Sequence, residues 1–178
     1  MRVLGLDPGS RRTGYGVVEK SGNRFVCVAH GCVAPPLKAE LPARLHHIAR
    51  EIGARMDEFA PDAVVVEEAF YHQSVRSTLV LGHVRGALLV AAVERGYVIA
   101  EYSPREIKLS VAGNGAAAKE QVEFMVRRIL GLAGTLQADA ADALAGAVCH
   151  LNRVRFTAPR AAGPAAKRLE ALLARSTR

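Results

Sequence analysis

Four acidic residues, distant along the chain, have the types and placement for metal-assisted chemistry. Asp7 and Glu67 each close a strongly apolar run, Val3 to Leu6 and Val64 to Val66, and Asp139 and Asp142 stand three apart at the opening of an expected helix, where they share one face. Each acid alone has an ordinary explanation. Asp7 before Pro8-Gly9 is a good turn-former, Glu67 can carry a strand end into water, and Asp139 and Asp142 suit the positive end of a helix dipole. Their joint placement changes the balance. If the two strands are neighbours and the last helix crosses their ends, four carboxylates converge, and like charges that close cannot all stay ionised without compensation. A bound cation supplies it. Hard carboxylate oxygens, without thiolates or paired histidines, select Mg²⁺ or Mn²⁺ over zinc, and two such ions about 4 Å apart serve an in-line phosphodiester displacement.

The elements that must position these acids follow from the pattern. Val3 to Leu6 reads as a short strand ending at Asp7. Thr13 to Glu19 and Arg24 to Val33 are two further β-runs around the hairpin signal Ser21-Gly22-Asn23. Leu41 to Phe59 places Leu45, Ile48, Ile52 and Met56 at helical spacing, the mark of an amphipathic helix lying on the sheet. Asp62 to Glu67 reads as a strand buried on both faces, because Val64, Val65 and Val66 are unbroken by polar residues. Helices are expected over Ser77 to Arg95, from the Ser103-Pro104 cap through Val111, over Lys119 to Leu130, and from Asp139 to about Arg155, with a last strand over Tyr97 to Tyr102. The order predicts an α/β fold with a mixed five-stranded sheet flanked by helices, of ribonuclease-H-like topology. Residues 1–155 would form this domain and residues 156–178 a basic, flexible tail that contains Pro159, Gly163 and Pro164.

Composition bounds the rest. A chain of 178 residues fits one domain, and with 5% aromatic residues and no Trp its core must rest on aliphatic side chains and Ala. No export signal is read at the N-terminus, and the apolar stretch Leu79 to Val93, interrupted by Gly82, His83, Arg85 and Gly86, reads as too short and too polar for a membrane span. The expectation is therefore a cytoplasmic protein with no membrane partner. Cys27, Cys32 and Cys149 form an odd set without metal-type spacing, and strand alternation puts Cys27 and Cys32 on opposite faces. They read as reduced thiols. The formal charge of +7 is concentrated at the end: residues 153–178 carry seven Arg or Lys against Glu170 alone, which leaves a balance of +1 for residues 1–152. Basicity thus points to a solvated or DNA-touching tail rather than to a basic body.

Several motifs resemble one known family. Leu4-Gly5-Leu6-Asp7-Pro8-Gly9-Ser10 with Thr13-Gly14-Tyr15-Gly16, Glu67-Glu68-Ala69-Phe70, Leu81-Gly82-His83-Val84-Arg85-Gly86, the stretch from Gly113 to Val122, and Gln137-Ala138-Asp139-Ala140-Ala141-Asp142-Ala143 are similar to motifs of the RuvC Holliday junction resolvases, in family order. The unbroken valines give no alternation to choose between Glu67 and Glu68; the resemblance selects Glu67, three before Phe70. It implies that Asp7, Glu67, Asp139 and Asp142 hold the metal, with Asp142 also placed to orient the attacking water, and that hydrolysis leaves a 5′-phosphate and a 3′-hydroxyl. It also favours stacking of Phe70 on bases unpaired at a branch point, while Tyr71 stays open between that role and core packing, and it implies that Lys108 and Lys119 lie near the scissile phosphate. Without the resemblance both lysines would read as solvated, and an aromatic there as core. His72-Gln73 stands where relatives often have Lys-Asn, and His83 where they have Gln, so DNA contacts of the loop after Phe70 depart from the family pattern. Neither histidine is counted as a ligand.

A four-way DNA junction has near two-fold symmetry, and two matched cuts suit a homodimer. Gly82 and Gly86 with Leu79, Leu89 and Val93 offer an interface on the Ser77 to Arg95 helix, although packing on the chain's own sheet explains much of the same pattern. By resemblance the partners are junction DNA and the RuvA and RuvB branch-migration proteins. Competing readings are an actin-like or sugar-kinase-like phosphotransferase, disfavoured by length, a ribonuclease-H-like enzyme acting on RNA, and a non-catalytic junction-binding module.

Overall fold

A computed structural model describes residues 1–68 and 74–154. Phe70, Tyr71, His72 and Gln73, expected in a DNA-touching loop, and the expected tail 156–178 lie outside the described residues. The chain runs β1 (Arg2–Asp7), β2 (Thr13–Ser21), β3 (Arg24–Val33), α1 (Leu41–Phe59), β4 (Ala63–Glu67), α2 (Val75–Glu94), β5 (Ile99–Tyr102), α3 (Pro104–Ala112), α4 (Lys119–Leu130) and α5 (Ala138–Arg153). The five strands make one mixed sheet in the order β3-β2-β1-β4-β5. The first three form an antiparallel meander, and β4 and β5 run parallel to β1 and to each other. This is the ribonuclease-H-like arrangement expected.

Two cores flank the sheet. Leu4, Leu6, Val64 and Val66 pack against Ile48, Ile52 and Met56 of α1 and Val84 and Leu88 of α2. Val3, Val18 and Val65 face the other way, toward Leu144, Val148 and Leu151 of α5 and the inner sides of α3 and α4. In β4 the side chains alternate between the two cores, which is why the valine run carries no polar break.

The helix α5 is buried along most of its length, and three glycines let it lie almost on the sheet. A Cβ added at Gly5 would stand 2.0 Å from the Ala143 carbonyl oxygen, one at Gly14 2.0 Å from that of Asp139, and one at Gly16 2.6 Å from Leu144 Cγ. Those glycines come from adjacent strands, with Gly5 opposite Gly16 and Asp7 opposite Gly14. They form a flat floor for an alanine-rich helix, and the floor ends at Asp7.

Two expectations need correction. Cys27 and Cys32 face the same side of the sheet, because Val17 pairs with Ala29 and Val18 with Cys27. Val28 is thus a bulged residue that shifts the alternation by one. Cys27 packs with the α5 core, and Cys32 opposes Gly14, whose missing Cβ points at α5. The apolar stretch read as too short and too polar for a span lies in α2, whose 20 residues are long and apolar enough to cross a bilayer by length and composition. Its inner face, Val84, Leu88, Ala91 and Ala92, is buried in the fold.

The glycine floor yields a direct test. Gly5→Ala must lift α5 or bend β1, and we expect it to lower unfolding stability by about 2–3 kcal/mol, measured by urea denaturation. Unchanged stability would mean that the helix does not rest on the strand there.

Candidate active site

Alternation along the strands decides which acids face α5. Gly5 lies against α5 and Asp7 is two residues on; Val65 touches α5 at Gly146 and Glu67 is two residues on. Since β1 and β4 are parallel neighbours with Leu6 opposite Val66, Asp7 and Glu67 end side by side on the same face. On the helix, Gln137 is the N-cap, Asp139 lies in the first turn, and Asp142 opens the second rather than sharing the first. Because the Asp139 carbonyl rests over Gly14, itself opposite Asp7, the start of α5 is fixed over the strand end.

The structure therefore brings all four acids together. Their mutual field is visible in Asp7, whose carboxyl is pushed up to about 8, first by burial and then by the charges of Glu67, Asp142 and Asp139, with Lys119 pulling the other way. Glu67 is pushed up to about 7 by burial and then by Asp142, opposed by Lys119 and Lys108. At neutral pH such a cluster lacks positive charge at its centre.

Three basic side chains stand around the acids, of which Lys119 and Lys108 supply partial compensation. Lys119, the first residue of α4, donates from Nζ to Asp142 Oδ2 at 2.6 Å. Arg12, on the turn after β1, stands 3.8 Å from Asp139 Oδ2 through Nε. Lys108 projects from α3, and with Glu67, Pro104, Lys119 and Asp142 it lines a cavity of about 160 Å³. The α3 helix is fixed at its start by a reciprocal cap: Ser103 Oγ accepts from the Glu106 N–H, and Glu106 Oε2 accepts from the Ser103 N–H at 2.9 Å. That bond and Arg153 hold the Glu106 carboxyl down to about 2.

Among the described residues no three acidic, histidine or cysteine side chains stand in a ready-made coordination shell. Asp142 is paired with the Lys119 ammonium, and the Arg12 guanidinium stands beside Asp139. The donor set nevertheless fits a hard divalent cation: it is all carboxylate at its centre, and burial followed by the neighbouring acids pushes its two strand acids above the usual carboxylate range. Cys32 flanks the cluster, but burial and the Asp139 charge push its thiol up, away from the thiolate that a soft metal would select.

Arg12 is absent from the residues expected at the site. The available signal was two adjacent arginines, Arg11-Arg12, in a turn five residues after a candidate ligand. The glycines of the floor were visible only as motif letters, since their role depends on a helix more than a hundred residues away.

Comparison with known proteins assigns the family. The family model for the crossover junction endodeoxyribonuclease RuvC matches residues 3–150. The chain belongs to the RuvC family. A RuvC endonuclease of Hyphomonas neptunium is 46% identical over 91% of this chain and 97% of its own, and one of Caulobacter vibrioides is 48% identical over 85% and 89%. Among solved structures, Thermus thermophilus RuvC in complex with a Holliday junction substrate superposes with a TM-score of 0.80 at 37% identity, covering 85% of this chain and 93% of that one. The yeast mitochondrial Holliday junction resolvase shares the fold, with a TM-score of 0.62 at 15% identity. Membership of this RuvC family makes the chain a nuclease, a hydrolase of the crossover junction class.

The raised acids predict a pH-dependent stability. Asp7 has a folded value near 8 against an ordinary value of 3.8, so between these limits the folded state binds more protons than the unfolded one, and stability falls as pH rises through the window. In metal-free protein, Asp7→Asn removes this penalty. We expect the variant to be more stable than wild type at pH 7 by at least about 1 kcal/mol, with the gap closing toward pH 4, in thermal melts with chelator present. A gap independent of pH would contradict the coupling.

Proposed function

We propose that the chain resolves Holliday junctions in homologous recombination and DNA repair, cutting four-way DNA by paired symmetric nicks in a metal-dependent phosphodiester hydrolysis. The observation that carries this reading is the meeting of Asp7, Glu67, Asp139 and Asp142 at the strand ends under α5. Asp7 and Glu67, neutral in part without a counter-ion, would hold two Mg²⁺ or Mn²⁺ ions together with Asp139 and Asp142. When bound, those cations supply charge to activate a water and to stabilise the leaving oxygen. Asp142 also orients the attacking water, and hydrolysis leaves a 5′-phosphate and a 3′-hydroxyl. Lys108 and Lys119 neutralise the backbone at the scissile phosphate, a role that for Lys119 requires it to leave Asp142. Stacking of Phe70 on unpaired bases rests on the resemblance alone, and Tyr71 beside it is a second candidate for such a contact.

The proposal extends to a cytoplasmic homodimer working with the RuvA and RuvB branch-migration proteins. In support of the dimer, α2 presents Val75, Leu79, Gly82, Gly86 and Val90 as one exposed stripe, and a Cβ at either glycine would meet open space. Leu89, expected on that stripe, turns inward against the α1–α2 core, so Val90 takes its place. A charged residue there should prevent close helix approach.

Incubating the protein with a synthetic four-way junction and Mg²⁺ or Mn²⁺, beside matched RNA and linear duplex, tests the reading. We expect paired nicks on the junction only, and loss of at least about a hundredfold in rate for Asp7→Asn with junction binding retained. Cleavage undiminished in that variant would refute the site, and preferential cutting of RNA would refute the substrate. For the dimer, Leu79→Asp should sediment as a monomer and yield single rather than paired nicks; an unchanged dimer would rule out this stripe.

A further inference from the structure

The carboxylates border two concavities. The one lined by Lys108 and Lys119 is part of the active site itself. The other, a trough of about 750 Å³, opens beside Asp139 between the turn after β1, the segment after β3 and the first turns of α2. Arg11 and Arg12 line it from one side, Pro35 and Leu37 from another, and Ser77 and Leu81 from α2. Asp139 is the one of the four carboxylates that lines this trough, whose size lies within the about 300–1,000 Å³ of clefts that hold a ligand.

The turn that carries both arginines is built to stay in place. Thr13 is fully buried; its hydroxyl donates to the Gly9 carbonyl at 2.9 Å, and the Gly9 N–H approaches the same hydroxyl at 3.4 Å. Arg44 of α1 donates from Nη2 to the Ser10 carbonyl. Gly9 is so close to the Arg12 carbonyl that a Cβ would stand 2.0 Å from it. On this fixed turn both arginines are exposed. Arg11 makes no hydrogen bond or ion pair among the described residues, and Arg12 makes only the long approach to Asp139 through Nε, with its side chain 54% exposed.

An exposed ion pair at 3.8 Å adds little to stability. A guanidinium with free terminal nitrogens, beside a trough of mixed apolar and polar lining, has instead the chemistry that grips a phosphate in bidentate fashion. We propose that Arg12, on its braced turn, binds a backbone phosphate of the DNA strand that lies in this trough, with Arg11 as a second point of attachment. Sugars and bases of that strand would then lie against Leu37 and Leu81. The two arginines and the two lysines would thus hold one strand on either side of the carboxylates. This inference rests on the nuclease reading and adds a substrate-positioning residue to it.

The test uses the full chain and a synthetic four-way junction in chelator, where binding is read without cutting, over a series of KCl concentrations. For Arg12→Ala we expect the slope of log affinity against log salt to fall by about one, the change that follows when one phosphate is no longer neutralised, and Arg12→Lys to recover most of it. In the cleavage assay KM should rise several-fold for Arg12→Ala with kcat unchanged. An unchanged salt slope would overturn the proposal. So would a fall in kcat at constant KM, which would mean that Arg12 acts through Asp139. Wild-type protein that binds the junction but cuts nothing would refute the nuclease reading, while the slope comparison would still decide the role of Arg12.

Discussion

The approach of α5 to the sheet sets where chemistry can occur, because a helix seated on glycine backbone has almost no freedom to slide. Gly5, Gly14 and Gly16 remove the side chains that would otherwise hold the helix off β1 and β2, and the carbonyls of Asp139 and Ala143 occupy the space. That seating carries Asp139 and Asp142 to the strand ends where Asp7 and Glu67 already face the same side. Four like charges this close repel one another, and the packing of strands and helix has to hold them against that repulsion.

The same arrangement sets stability against function. Burial and mutual repulsion push Asp7 and Glu67 far above the usual carboxylate range, so the fold carries a local penalty that a divalent cation would relieve. Lys119, paired with Asp142, offsets part of it, and Arg12 stands at the edge beside Asp139. Both are exposed enough to turn toward a phosphate. Under the proposed function, these two basic side chains would be the ones that take hold of DNA.

Much of this was legible in the residues. Element order, the core face of α1 and the capped start of α3 follow from periodicity and from Ser103-Pro104, because local propensity and burial agree there. The acids could be named from strand ends and from a spacing of three, but their convergence depends on sheet order, which no local signal encodes. The valine run hid which glutamate faces α5, and the parity of Val65 supplies it. The bulge at Val28 reversed the expected faces of the cysteines, since one extra residue is invisible to an alternation count. Arg12 escaped notice because a basic turn residue reads as solvated until a trough opens beside it.

The central claim is that the four carboxylates share divalent ions once these are supplied, and anomalous scattering from crystals soaked in Mn²⁺ tests it most directly. The expected result is strong peaks within about 2.5 Å of carboxylate oxygens of Asp7 and of at least two of Glu67, Asp139 and Asp142, with Lys119 moved off Asp142. Peaks confined to isolated surface acids, with Lys119 still bound to Asp142 and Asp7 without an ion, would contradict it.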